Sequence, residues 1–338
     1  MSEAKDLSGF NLIGFALNNS DLARANLAKA QLRGANLSGA DLSYADLTEA
    51  DLSGANLEGA DLYCAKLAGS VLVGSKINGA DFTNADLRDA KMTGLTGIGV
   101  KLSAANLTSS VLNGSNLSEC DLSQANLSQS SLVGTILDFA DLSGANFSEA
   151  KLFSASMIGT KLNLTNLDNA DLNAAILNGS SFSDTSLDRT NFDSANLQEV
   201  NLENGKLSSA NLSSANLTGS SLKGAEFDGA NMSFARLSRA DLEFASLIGV
   251  NMRHANTRGS KLIETNLMEA DLIYTGMYKE EVMRDHPLLK FNSKTRWDTQ
   301  SSKRRMKQLS LNLKDGHHAD EGEKRSFFGK FLRLFNSN

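Results

Sequence analysis

One proline, one tryptophan and four histidines among 338 residues leave this chain short of the residue types that most often build catalytic sites and rigid loops. The only two cysteines, Cys64 and Cys120, lie 56 residues apart, too few for a disulfide framework, and this favours a reduced, cytoplasmic setting. No apolar run approaches the ~18 residues a membrane-spanning helix needs, and the opening MSEAKDLSGF has no signal-peptide pattern. Of the histidines only His254 falls in the body of the chain; His286, His317 and His318 come after it. Acid–base catalysis needs groups that converge, and nothing in the order of residues brings such groups together. Neither an enzyme nor a cofactor or metal is therefore expected, and the His317–His318 pair reads as solvated linker. Charge is also lopsided. Residues 276–338 carry 14 Lys/Arg against 8 Asp/Glu, whereas residues 1–275 carry 19 against 31. An acidic body with a basic tail offers two different surfaces to partners.

What the chain does have is repetition. The stretch ANLSGADLSYADLTEADLSGANLEGADL, residues 35–62, places a leucine at every fifth position. From Leu7 in steps of five to Met277, all but two of 55 positions are Leu, Ile, Phe or Met, the exceptions being Gly97 and Thr257. Five is the period of neither a helix nor a strand. Two residues before each centre stands a small one, such as Ala25, Ala40, Cys120 or Thr160, and the remaining positions are polar or glycine. One large and one small inward residue in every five fit a chain that turns a corner every five residues. Four corners bring it back on itself after 20 residues, so that successive coils stack at the ~4.8 Å strand spacing. Glycines two after the centre, as at Gly34 and Gly54, suit the turn.

In this pattern ANLSGADLSYADLTEADL resembles the pentapeptide-repeat proteins, whose repeat is A(D/N)LXX. The resemblance covers residues 6–275 and implies an all-β solenoid, a right-handed quadrilateral β-helix. At 20 residues a coil the array makes roughly 13–14 coils, a rod on the order of 65 Å long. Residues 1–20 are expected to form the N-terminal cap and first coil, with Phe10 and Phe15 folding over the open core from the small-residue slot. Residues 276–290 suggest a helical C-terminal cap, the stretch TGMYKEEVMRDHP (275–287) leaving the repeat there. Residues 291–325 read as a disordered linker and 326–336 as an amphipathic segment.

Two outward features are candidate binding surfaces. Residues 20 apart share a face, and one such column contains Asp21, Asp41, Asp61, Asp81, Asp121 and Asp141, interrupted by Lys101 and Lys161. Stacked like charges repel, and no folding need for them is visible in the sequence, so the column reads either as family consensus or as an acidic stripe for a basic partner. Neighbouring columns are richer in asparagine (Asn106, Asn126, Asn146, Asn166) and suit hydrogen-bonded ladders. A second face carries Val71, Val73, Val111, Val133 and Phe153, a candidate apolar patch. Tyr44, Phe234, Phe244 and Tyr274 point outward too, but read as scattered. At Gly97 the sequence suggests either a local distortion, with Leu95 or Ile98 turned in, or a binding notch.

The tail adds the basic cluster SKRRMK and the closing FFGKFLRLF. There Phe327, Phe328, Phe331, Leu332 and Phe335 would form one apolar face, able to sit on a membrane surface, in a partner's groove or back on the rod. The leading expectation is a non-enzymatic interaction or scaffold protein with an unnamed protein partner, or a second copy as homodimer. The resemblance also implies a DNA-mimicking binder of DNA gyrase or topoisomerase IV, or a membrane-associated or secreted effector anchored by its C-terminal amphipathic segment.

Overall fold

A computed structural model describes residues 5–286 and 288–298; the tail features SKRRMK, His317–His318 and Phe327–Phe335 lie outside the described residues. Parallel one-residue bridges join positions 20 apart without a slip from Asp6↔Asn26 to Asn251↔Asp271. Each bridging residue stands immediately before a central Leu-type residue, so every five residues make one side and four sides close a coil. The pairing is tight: Leu27 N–H donates to the Asp46 carbonyl at 2.7 Å, and Asp46 N–H donates to Ala25 at 2.9 Å.

Each corner is a tight turn closed by the small residue, as where Ala30 N–H donates to the Leu27 carbonyl at 3.0 Å. Its third residue takes positive φ whatever its type: Gly34 at 63°, Tyr44 at 57° and Leu164 at 60°. Glycine is thus the relaxed choice at this position, and every other side chain there carries local strain.

The centres and small slots fill the interior. Leu27, Leu127 and Phe147 are fully buried, each contributing ~1.5–3 kcal/mol through apolar burial. Ser and Thr fit the small slot where their hydroxyls find a carbonyl, either within their own turn, as Ser110 to Leu107 at 2.7 Å, or on the previous coil; the buried Ser70 hydroxyl finds none. Thr135 Oγ1 donates to the Leu112 carbonyl at 2.9 Å, and Thr185 Oγ1 to that of Leu162 at 2.7 Å. At Gly97 there is no notch. A Cβ built there would lie 2.8 Å from Ile77 Cγ1 and 3.0 Å from Leu117 Cδ2, so the coils above and below have closed over the gap. Leu95 is buried in its slot, while Ile98 stays 45% exposed and does not turn inward.

Two expectations about the ends are corrected. Phe10 and Phe15 are each 54% exposed and are not among the residues packed on the core, so they do not plug the N-terminal end. With no coil beneath them, the rings have nothing apolar to enter. At the other end α1 spans Lys279–Asp285. The chain then returns to the array instead of starting a linker at 291. Lys290 bridges Asn266 and Arg296 bridges Asp271, extending two sides of the solenoid. Val282 of α1, Phe291 and Trp297 pack against the core, with the last two rings edge to face at 5.5 Å. The insertion of α1 breaks the five-residue count, which hid this return from the pattern. The compact unit ends at Trp297.

Candidate functional site

The acidic column exists as stacked neighbours: parallel bridges join Asp21, Asp41, Asp61 and Asp81 in series, then pass through Lys101 to Asp121 and Asp141. Folding does ask for these side chains, contrary to the sequence-based expectation. In each, Oδ1 accepts the backbone N–H two residues on, at 2.9 Å from Ser43 to Asp41, Tyr63 to Asp61, Thr83 to Asp81 and Ser123 to Asp121. This local bond fixes the corner, and asparagine makes it equally well, as where Asn126 Oδ1 accepts Ser128 N–H at 3.1 Å. At several places where serine stands immediately before a centre, in this column or another, an Asp or Asn 18 residues earlier does the work. Asp138 Oδ1 accepts both the Ser156 hydroxyl at 2.6 Å and the Ile158 N–H at 3.0 Å. Asn163 serves Ser181 and Ser183 in the same way.

Charge along the column is uneven. Lys101 reaches Asp81 at 3.4 Å, Lys161 reaches Asp141 at 3.3 Å and Lys261 reaches Asp241 at 3.0 Å. Partial burial works against ionisation at Asp81 and Asp141, yet hydrogen bonds from Thr83 and Ser143 and the two ammonium groups hold both carboxyls below their ordinary value. Asp21, Asp41 and Asp61 differ. They are exposed, and among the described residues none of them forms an ion pair. The exposed members of the stripe without an ion pair are therefore these three on the N-terminal coils; Asp121 also forms no ion pair among the described residues, but it is half-buried and its Oδ1 accepts the Ser123 hydroxyl at 2.6 Å.

The apolar patch divides. Val71 and Val111 share a column with Lys91 between them, and Val73 is separated from Val133 by Thr93 and Asn113. Only Val133 and Phe153 are direct neighbours, joined through Gly134 N–H to the Phe153 carbonyl at 2.9 Å. Of the expected ladder Asn106, Asn126, Asn146 and Asn166, one rung forms among the described residues, Asn146 Nδ2 donating to Asn126 Oδ1 at 3.2 Å, while Asn126 Nδ2 turns to Thr108 Oγ1 at 3.0 Å. The longest lies elsewhere: Asn251, Asn231, Asn211 and Asn191 each donate to the coil before at 2.8–3.1 Å, ending on Asp171.

One surface feature escaped the sequence reading. Phe234, His254 and Tyr274 are 20 apart and stack nearly parallel, with centroids 4.8 and 4.6 Å apart. The Arg253 guanidinium lies 5.9 Å from the Tyr274 ring. All three occupy the positive-φ corner and are exposed. Indexing outward residues by 20, which found the acidic column, would have found this stack too. Among the described residues no group of three His, Cys, Asp or Glu is placed to hold a metal. Burial pushes the Cys120 thiol far above its ordinary value, so it is an inert core residue; Cys64 is half-buried.

Five-residue sides closing every 20 residues define a quadrilateral β-solenoid that displays side chains on outer faces. The chain belongs to the pentapeptide-repeat family. The family model for pentapeptide repeats (8 copies) matches residues 6–39, 40–78, 55–94, 101–138, 137–169 and 235–272, and that for a pentapeptide repeat region matches 162–232. Members are generally structural or binding proteins, built as right-handed quadrilateral β-helices. HetL from the cyanobacterium Nostoc sp. strain PCC 7120, involved in heterocyst differentiation regulation, is 26% identical over 65% of this chain and 88% of its own, with a TM-score of 0.42. The pentapeptide repeat protein alr5209 from Nostoc PCC 7120 is 33% identical over 32% of this chain and 84% of its own, with a TM-score of 0.27. QnrB1, a plasmid-mediated fluoroquinolone resistance protein, is 23% identical over 58% of this chain and 90% of its own, with a TM-score of 0.29. No curated protein matches the chain significantly.

Proposed function

We propose that this chain is a non-catalytic binding protein in the cytoplasm, and that its N-terminal coils present Asp21, Asp41 and Asp61 to a basic surface on a protein partner. The observation that supports this is the contrast along one column: the N-terminal carboxylates are exposed without a cation, while Asp81, Asp141 and Asp241 each hold a lysine. Carboxylates stacked at strand spacing reinforce one another's field toward an approaching cationic surface. On this reading the array of roughly 13–14 coils is the rigid support, with α1 and the returning segment as its C-terminal cap.

The test separates charge from folding. A triple variant Asp21→Asn, Asp41→Asn, Asp61→Asn keeps the corner acceptor and removes three charges. Capture of partners from a cell extract should fall sharply with the variant and weaken for the native chain as salt is raised. Equal capture by both proteins at every salt concentration would sink the proposal.

The same three carboxylates also favour a second reading, mimicry of DNA toward gyrase or topoisomerase IV. Duplex DNA carries one charge per ~1.7 Å of axis, denser than one carboxylate per coil, and the column turns basic at Lys101. A supercoiling assay decides: no inhibition by micromolar native chain removes it.

A further inference from the structure

The geometry points to the N-terminal end face as the contact surface for a second copy of this chain, forming a closed end-to-end dimer. In every inner coil the residue before the centre turns both its N–H and its C=O toward the coil below. Asn26 N–H donates to Lys5, Gln31 to Phe10, Asn36 to Phe15 and Asp41 to Ser20, all at 2.9–3.0 Å. In the first coil the equivalent positions are Asp6, Asn11, Ala16 and Asp21. Among the described residues, the N–H groups of Asn11, Ala16 and Asp21 donate to no acceptor, and the carbonyls of Asp6, Asn11 and Ala16 accept nothing. The Asp21 carbonyl is met only by the Lys5 ammonium. This is an unpaired strand edge running round all four sides of a square, rimmed by exposed Phe10, Ile13 and Phe15.

The shape of that edge selects its occupant. A flat or single-stranded partner can satisfy one side, whereas another coil of the same size satisfies four. This chain's own C-terminal end does not match that outline, because Lys290 and Arg296 extend only two of its four sides and Val282, Phe291 and Trp297 lie against the core there. Head-to-tail stacking, which would propagate into fibres, would leave part of the N-terminal edge unmatched. Face to face, two N-terminal coils related by a twofold axis run antiparallel. A residue offering both N–H and C=O then meets another offering the same, the hydrogen-bonded pair of an antiparallel ladder. A twofold along the diagonal of the square sets Asp6 against Asn11 and Ala16 against Asp21, so no aspartate faces its own copy. Phe10 and Phe15, too large for the small slot of an inner coil, fill the seam against Leu7, Leu12 and Leu17 of the other copy.

Sedimentation equilibrium and small-angle scattering on the full chain test this. The expected result is twice the 36.1 kDa chain mass, with a largest dimension close to double that of a monomeric variant. Phe10→Asp with Phe15→Asp should weaken association at least tenfold. Ala16→Pro should do the same by removing an edge donor that makes no bond within the chain. Phe139→Asp, at a ring 67% exposed on an inner coil, should leave the dimer intact. Circular dichroism of each variant confirms that the coils persist. Monomer mass at all concentrations up to about 100 μM overturns the inference. So does a doubled mass without added length, a mass series growing beyond two, or a dimer that survives both edge variants.

Discussion

Gly97 occupies a position that asks for leucine, and the simplest expectation is that restoring one would stabilise the protein. The packing says otherwise, since Ile77 and Leu117 already stand within 2.8–3.0 Å of where a Cβ would go. Gly97→Leu should lower stability by ~1–3 kcal/mol through overpacking, read as a reduced urea midpoint. Leu127→Ala, at a fully buried centre, should lower it by ~2–5 kcal/mol by leaving a cavity. Asp41 is a case where type matters more than charge. Asp41→Asn keeps the acceptor for Ser43 N–H and should leave thermal stability nearly unchanged, while Asp41→Ala should cost ~0.5–1.5 kcal/mol. A larger loss for the asparagine variant than for alanine would refute the corner role. The alternation of Asp and Asn along the repeat makes sense in these terms, because the corner needs a short side chain ending in oxygen and is indifferent to charge.

At the level of the coil, a solenoid is held by contacts between neighbours only, so its ends open first. Trp297 is the single tryptophan and sits edge to face with Phe291 in the last turn, and the Lys279 ammonium lies 5.0 Å from the Phe291 ring. Its fluorescence therefore reports on one end alone. In urea the tryptophan signal should change before the far-UV circular dichroism of the array; coincident transitions would show that the returning segment unfolds only with the whole. Phe291→Ala should widen the separation. The same nearest-neighbour logic explains why serine columns survive: the oxygen lost from one coil is replaced by Asp138 or Asn163 from the coil below, so corner bonding is conserved although the residue has moved.

For the molecule as a whole, acid is the informative stress. Asp81, Asp141 and Asp241 are opposed by partial burial but held low by hydrogen bonds and lysines, and Asp86 is held low first by its hydrogen bond from Arg88. Each of these carboxyls titrates lower in the folded than in the unfolded chain, so acidification favours proton uptake by the unfolded state. The stability they contribute is complete above the ordinary carboxylate range and is lost as pH falls through the lowered folded values. Melting temperature should therefore drop on going from pH ~5 to ~2. Replacing Asp81, Asp141 and Asp241 together by asparagine should flatten that drop, and an unchanged profile would assign acid lability elsewhere. Exposed lysine pairs add little of their own at neutral pH, so high salt should barely move the melting temperature there.

The five-residue count by itself determined the core, the corners and the faces, because a fixed period leaves the chain one way to bury a large and a small residue in every five. It stacked the aspartates into one column for the same reason, but not the rungs of the Asn106–Asn166 ladder, where Asn126 bonds Thr108 instead. Where the count broke or ran out, only three-dimensional contact decided. The closing of Ile77 and Leu117 over Gly97, the return of residues 290–297 after α1, and the open rings of Phe10 and Phe15 all depend on which surfaces happen to meet. Which carboxylates keep their charge free was settled likewise, by the reach of a lysine from the next coil, a distance that no spacing along the chain encodes.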